Sequence, residues 1–277
     1  MDGRDQMETP RGRVLIIAGS DSGGGAGIQA DVKTVTALGG FAMTAVTAIT
    51  AQNTLGVQGI WPVSPEAVSA QIKSVLDDLG ADAVKTGMLG SARLVERVGE
   101  KLDAQARDLL RIVDPVMVAT SGDRLVDEAA VSALAALLIP GAAVVTPNAP
   151  EAEILTGRVV DSVDGQRRAA ERLLELGAQG ALVKGGHIEG DSLTDVLQTT
   201  QGEWIFEASR IDSRATHGTG CTLASGLATR IALGDRIEVA VEAARSYLRG
   251  AIAHAMDLGR GRGPVNHGWP MRHGLRD

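Results

Sequence analysis

Residues 13–38 read RVLIIAGSDSGGGAGIQADVKTVTAL: an almost unbroken apolar run, a glycine-rich turn, then a stretch with helical periodicity. The run RVLIIAG (13–19) has no polar alternation. A strand buried on both faces reads this way, and such strands belong to parallel sheets covered by helices. The turn is not a Walker A loop, because no GK[ST] follows, and it lacks the G-x-G-x-x-G spacing of dinucleotide sites. Taken alone it is equally a tight crossover. The helix sharpens it. At about 100° per residue, Ile28, Val32, Val35 and Leu38 share one face, and Asp31 falls between Val35 and Leu38 on that face. A carboxylate on an apolar stripe needs a partner. It is either a structural acceptor or a holder of a substrate hydroxyl; beside a glycine turn, the substrate role is expected for Asp31.

Outward from this unit, FAMTAVTAI (41–49), ADAVKTGML (81–89), RIVDPVM (111–117), AAVVTP (142–147) and GALVKGG (180–186) are further strands. Helical stretches lie between them. SPEAVSAQIKSVLDDLG (64–80) opens with Ser64 as N-cap and Pro65 at the first helical position. VDGQRRAAERLLELG (163–177) and DRIEVAVEAARSYLRGAIAHAMDLG (235–259) are similar. The alternation predicts an α/β fold: a three-layer α/β/α sandwich with a mostly parallel central sheet. DVLQTT (195–200) and EWIFEAS (203–209) flank QG as an antiparallel hairpin at one sheet edge. Residues 41–63 are expected to form a strand–turn–strand flap, of a kind that pairs subunits, so a homodimer is expected. One domain is expected over 13–267, with tails over 1–12 and 268–277.

The composition excludes several classes. The net charge is -7 and aromatics are 2% of 277 residues, which suits neither nucleic-acid wrapping nor base stacking. No apolar run approaches the ~18 residues of a membrane span. The polar N-terminus lacks a signal-peptide core. A single cysteine cannot close an internal disulfide, and a cytoplasmic location is expected.

In open α/β sheets, ligands sit beyond the carboxyl ends of the strands, and the unusual residues lie there. Gln52 offers an acceptor and two donors, a pattern that fits an aminopyrimidine edge; an exposed loop residue is the simpler reading of it alone. Asp114 ends one strand, and Asn148 and Glu151 follow another, as Mg²⁺ prefers. Glu151 is also placed to complement a helix dipole. Lys184 can meet a phosphate as a point charge. Gly218, Thr219 and Gly220 precede a helix marked by Leu223, Leu227 and Ile231. Its first turn presents unpaired N–H groups suited to a transferring phosphate, and a thiol there has a lowered pKa. Cys221 sits there, and a small buried residue is the plainer alternative. His217 is a ligand contact or a loop residue.

The strings AGSDSGGGAGIQADVKT, TAVTAITAQNTLGV, KTGMLGS, VDPVMVATSGD, TPNAPEAEILTG, VKGGH and THGTGCTLASG, in this order, resemble the hydroxymethylpyrimidine/phosphomethylpyrimidine kinases of thiamine biosynthesis, within the ribokinase superfamily. The resemblance covers roughly residues 13–267, GPVNH included. It implies an ATP-dependent kinase that phosphorylates the pyrimidine alcohol and then its monophosphate. It implies that Gln52, Gly19, Asp31, Met88 and Val116 line the pyrimidine pocket, that Asn148, Glu151 and Asp114 manage Mg²⁺, and that Lys184, Thr219 and Asn148 meet ATP. It implies that Gly218, Gly220, Cys221 and Lys184 are catalytic, with the glycine turn 218–221 as the anion hole. A monovalent cation is a further candidate cofactor.

Many ribokinase relatives place an aspartate base where this chain has Cys221. An alcohol must lose a proton, so a base helps the first step. A phosphate monoester is already mostly anionic, and a fixed carboxylate would repel it. The cysteine thus suits a site that accepts both. A kinase of another ring alcohol, pyridoxal above all, is the nearest alternative; a non-catalytic pyrimidine binder is another. Thr86 departs from the family's expected KIGML.

Overall fold

The computed structural model describes residues 11–117, 126–188 and 190–273. In chain order the elements are β1 (Arg13–Ala18), α1 (Gly27–Ala37), β2 (Phe41–Val46), β3 (Ala48–Asn53), β4 (Gly56–Pro62), α2 (Pro65–Asp78), β5 (Ala83–Thr86), α3 (Ala92–Gln105), β6 (Leu110–Val113), α4 (Glu128–Leu137), β7 (Val144–Val145), α5 (Ala149–Thr156), α6 (Val163–Glu175), β8 (Gly180–Val183), β9 (Ser192–Thr199), β10 (Gly202–Ser209), α7 (Thr219–Ala232) and α8 (Ile237–Ala253). Eight strands form one sheet in the order β10-β9-β8-β7-β6-β5-β1-β2. The pairs from β2 through β8 are parallel. β8, β9 and β10 run antiparallel, so the expected hairpin closes one edge.

β1 explains the layering. Its side chains alternate: Val14, Ile16 and Ala18 meet α1, α7 and α8 through Val35, Leu223, Leu227, Ile231 and Val241. Leu15 and Ile17 share the opposite cluster with Val68 and Ile72 of α2, Val98 and Leu102 of α3, Leu134 of α4 and Leu173 of α6. Both faces are buried, so the strand has no polar position after Arg13, and each buried Val, Leu or Ile contributes about 1.5–3 kcal/mol. Ser64 caps α2 by accepting from the Ala67 N–H, as its sequence implies.

The strands stop sooner than the apolar runs suggest. β5 ends at Thr86, β6 at Val113 and β8 at Val183. Lys184 keeps one isolated parallel bridge, to Asn148, and the segments after Val113 and Thr86 leave the regular ladder at the same end of the sheet. The expected strand 41–49 breaks at Thr47. Its N–H bonds Ala18 O, its carbonyl accepts from Val63 N–H, and its hydroxyl donates to Met88 O at 2.7 Å. Beyond it, β3 and β4 form a separate two-stranded flap with a bulge between Ala51 and Gln52. Ile49, Ile60 and Trp61 are exposed on it.

Residues 268–273, expected as part of a tail, dock instead. Trp269–His273 is a short 3-10 helix. Trp269 stacks on His254 with ring centroids 5.3 Å apart and donates to Tyr247 O at 3.1 Å. Residues 1–10 and 274–277 of the expected tails, and 118–123 of the VDPVMVATSGD string, lie outside the described residues.

Thr86, the departure from the expected isoleucine, is 1% exposed and its hydroxyl has no hydrogen-bond partner. A buried hydroxyl without a partner is destabilising by about 1–3 kcal/mol. Thr86→Val keeps the shape and removes that penalty. We expect it to raise the unfolding free energy by about 1 kcal/mol in urea titration; an unchanged or lower value would show that the hydroxyl is satisfied.

Candidate active site

The carboxyl ends of β1, β5, β6 and β8, the flap and the start of α7 enclose a cavity of about 680 Å³. That volume suits a small ligand held mostly inside protein. Gly19, Gln52, Met88, Val116, Asp114, Asn148, Glu151, Lys184, Gly218, Thr219, Gly220 and Cys221 all line it.

The glycine turn is shaped by Asp21, which the sequence reading missed. Its Oδ1 accepts from Gly23 N–H at 2.8 Å, and its Oδ2 from Gly25 and Ala26 N–H at 3.0 and 2.8 Å. His217 Nε2 lies 2.8 Å from the same Oδ2. Burial opposes the Asp21 charge, but the bonds from His217 and the backbone outweigh it and hold the carboxyl below its ordinary range. An aspartate two residues before a glycine is the available sequence signal, since such side chains fold back onto nearby N–H groups. His217 N–H donates to Gly263 O at 3.1 Å, so the GPVNH segment is tied to the same wall. His217 is thus a tether between loops, not a free side chain.

Helix α7 starts at Thr219 behind Gly218, whose φ is +80°, and no side chain caps it. The first intrahelical bond is Thr222 N–H to Gly218 O at 2.9 Å. The N–H groups of its opening turn therefore stand beyond the helix end with the positive pole of the dipole. A Cβ built on Gly220 would lie 3.4 Å from Lys184 Nζ and 3.9 Å from Asp114 Oδ2. The helix start, one cation and one carboxylate thus converge on one point.

Lys184 Nζ is 3.5 Å from Asp114 Oδ1, while Asp114 Oδ2 is buried without a partner. Asn148 and Glu151 form a capping box on α5: Asn148 Oδ1 accepts from Glu151 N–H at 2.9 Å, and Glu151 Oε2 from Asn148 N–H at 2.8 Å. Burial pushes the Glu151 carboxyl up to about 7, against the pull of Lys184 and with the push of Asp114. Among the described residues no three His, Cys, Asp or Glu side chains converge as a metal cage. Two carboxylates, one with an unsatisfied oxygen, are nonetheless the protein share that Mg²⁺ takes when phosphates and water complete its shell. Asn148 spends its carbonyl on the cap, so it supports Glu151.

Two expectations need correction. Asp31 does not line the cavity. It is fully buried, accepts both contacts from Lys85 Nζ at 2.9 and 3.0 Å, and accepts from Ser225 Oγ at 2.6 Å. The apolar stripe on which it sits faces α7 and the sheet, and the ion pair with Lys85 is what makes its burial tolerable. Cys221 is not an activated thiol. Burial pushes it up to about 12, in spite of Lys85 and the Gly27 N–H and with Asp31 and Asp114 adding to the rise. The helix pole is outweighed by desolvation.

Gln52 is held by its backbone: its N–H donates to Ser22 Oγ at 2.8 Å, and Ser22 Oγ donates to Gln52 O at 2.9 Å. Gln52 lines the cavity, and its Oε1 accepts from Thr50 Oγ1 at 3.4 Å. A Cβ on Gly19 would meet Met88 Cε, so the methionine tip packs directly over the glycine. Leu193, Ile211, Leu248 and Ile252 form an apolar end that the sequence did not reveal, because apolar residues carry no signature of their own.

Comparison with known proteins bears on this site. The family model described as phosphomethylpyrimidine kinase matches residues 21–266. The chain is 51% identical to the hydroxymethylpyrimidine/phosphomethylpyrimidine kinase of Streptomyces coelicolor, over 93% of this chain and 95% of that protein. It is 50% identical to the thiamine biosynthesis bifunctional protein ThiED of Geobacter sulfurreducens, covering 93% of this chain and 52% of that protein. Its structure is similar to that of Bacillus subtilis pyridoxal kinase solved with ADP, with a TM-score of 0.87 at 33% identity, over 95% of this chain and all of the other.

Proposed function

The chain belongs to the phosphomethylpyrimidine kinase family, and on that premise we propose that it phosphorylates 4-amino-5-hydroxymethyl-2-methylpyrimidine, then its monophosphate, to supply thiamine diphosphate synthesis. One observation carries the reading: the uncapped start of α7 and Gln52 face the same cavity.

The pyrimidine lies against Gly19, Met88 and Val116, with the Gln52 amide on the ring edge. Its hydroxymethyl group points at the Gly218–Cys221 turn. ATP lies along the other arm, with its base among Leu193, Ile211, Leu248 and Ile252 and its phosphates at Lys184. The N–H groups of Thr219, Gly220 and Cys221 accept the charge that spreads over the phosphoryl oxygens during transfer, the main contribution a protein makes to such chemistry. Mg²⁺, when bound, neutralises phosphate charge, and Asp114 and Glu151 would hold it. Cys221, a neutral thiol at physiological pH given its raised pKa, leaves room for an anionic acceptor that an aspartate would repel.

The pyridoxal alternative is weaker. Identity is 51% to the pyrimidine kinase against 33% to the pyridoxal kinase. The deciding experiment offers ATP with the pyrimidine alcohol, its monophosphate and pyridoxal in parallel. Diphosphate formation from the first two is expected; faster turnover of pyridoxal would overturn the reading. In the same assay Gln52→Leu should raise the pyrimidine KM by roughly 10-fold to 100-fold, since two hydrogen bonds of about 0.5–1.5 kcal/mol each are lost and polar ring atoms are left facing a methyl group. An unchanged KM removes Gln52 from the pocket.

The same reading places the enzyme in the cytoplasm. Among the described residues no helix is long and apolar enough to cross a membrane. The exposed Ile49, Ile60 and Trp61 of the flap favour a homodimer joined there. Ile60→Asp should then give monomers in sedimentation; a wild-type monomer would exclude the pairing.

A further inference from the structure

Beneath the cavity floor lies an ionic cluster that the proposed reaction does not use. Lys85 and Asp31 are both fully buried, and Lys85 Nζ contacts both Asp31 oxygens. Ser225 Oγ donates to the same carboxylate at 2.6 Å. Three elements meet here: β5, α1 and α7. Ser225 stands four residues, one helical turn, after Cys221 on α7. Lys85 borders the cavity whereas Asp31 does not. A Cβ on Gly87, another lining residue, would lie 3.0 Å from Lys85 Nζ. The pair is therefore oriented, with its cation at the cavity border and its anion behind it, and Lys85 acts on the Cys221 thiol more strongly than Asp31 does.

A buried ion pair seldom adds net stability over an apolar replacement. An oriented one, however, imposes a fixed potential where water cannot screen it. We propose that Lys85 is a positioning residue: held by Asp31 and Ser225, it sets a positive potential at the Cys221 wall and favours the phosphate monoester over the neutral alcohol as acceptor. This rests on the two-step reading above. The charged groups around Cys221 are Lys85, Asp31, Asp114 and Lys184, and only the first two change in the test.

Cys221 is the single cysteine of the chain, so alkylation by iodoacetamide reports on that wall alone. Two variants separate potential from structure. Asp31→Asn leaves Lys85 uncompensated and should speed alkylation at pH 8. Lys85→Met with Asp31→Asn buries no charge, preserves volume, keeps an acceptor for Ser225, and should slow it. In the same double variant, kcat/KM for the monophosphate should fall about tenfold more than for the alcohol, equivalent to about 1.4 kcal/mol. Alkylation rates that move in one direction in both variants, or acceptors affected equally, would overturn the proposal and leave the pair purely structural. If the wild type phosphorylated neither acceptor, the kinase reading would fall. The alkylation rates would then still decide: opposite shifts sustain the potential at Cys221, and coincident ones end it.

Discussion

Gly220→Ala is expected to fold like the wild type and to lose roughly a hundredfold in kcat, because its methyl group displaces the transferring phosphoryl group while the backbone N–H donor remains. The Cβ would not strike protein. Its nearest neighbours are Lys184 Nζ at 3.4 Å and Asp114 Oδ2 at 3.9 Å, ordinary contact distances. Alanine also favours a helix over glycine by about 1 kcal/mol, so the melting temperature should hold or rise. What the methyl group does occupy is the space between the helix start, Lys184 and Asp114. A phosphoryl group passing there would be displaced by about an ångström, and misplacement on that scale costs roughly a hundredfold. The measurement is kcat for both acceptors beside a melting curve. Wild-type turnover would mean that the phosphate travels elsewhere.

Gly218→Ala, two residues earlier, should fail for a different reason. Gly218 has a φ of +80°, and its added Cβ would collide with the Gly25 carbonyl oxygen. Left-handed backbone costs an alanine about 1–2 kcal/mol, and overpacking against fixed backbone about 1–3 kcal/mol. The loss translates into a melting temperature lower by roughly 5–10 °C for a chain of this size. Activity should fall at least a hundredfold as well, because relief of the collision moves the turn that carries His217 and the α7 N–H groups. A variant that melts like wild type would show that the glycine turn and the helix start are not in contact.

The paired variants also mark where the sequence was legible. The glycine run before Cys221 identified a helix start, and the order of motifs identified the family. Neither distinguishes Gly218, required by backbone geometry, from Gly220, required by empty space. That difference exists only once Gly25 stands against one and Lys184 against the other. Asp31 shows the same limit from the other side. Its place on an apolar stripe was readable, and so was its need for a partner. The partner was not, since Lys85 lies 54 residues away on another element. Lys85 opens the KTGMLGS string, but nothing in that string points to Asp31.

Asp21 was passed over because a polar residue in a glycine-rich turn looks like any loop residue. Its role appears only when Gly23, Gly25, Ala26 and His217 all point at its carboxylate. The two readings of the Cys221 thiol stayed open in sequence because the helix pole is visible there while desolvation is not.

By itself the sequence determined the layers, the sheet-edge hairpin and the end of the sheet at which chemistry gathers. These follow from local periodicity and turn residues, which act over a few positions. Only the tertiary structure decided which polar groups face the cavity and which brace it from behind, and with what charge. Those depend on contacts between distant segments and on exclusion of water, and both arise only when the layers close.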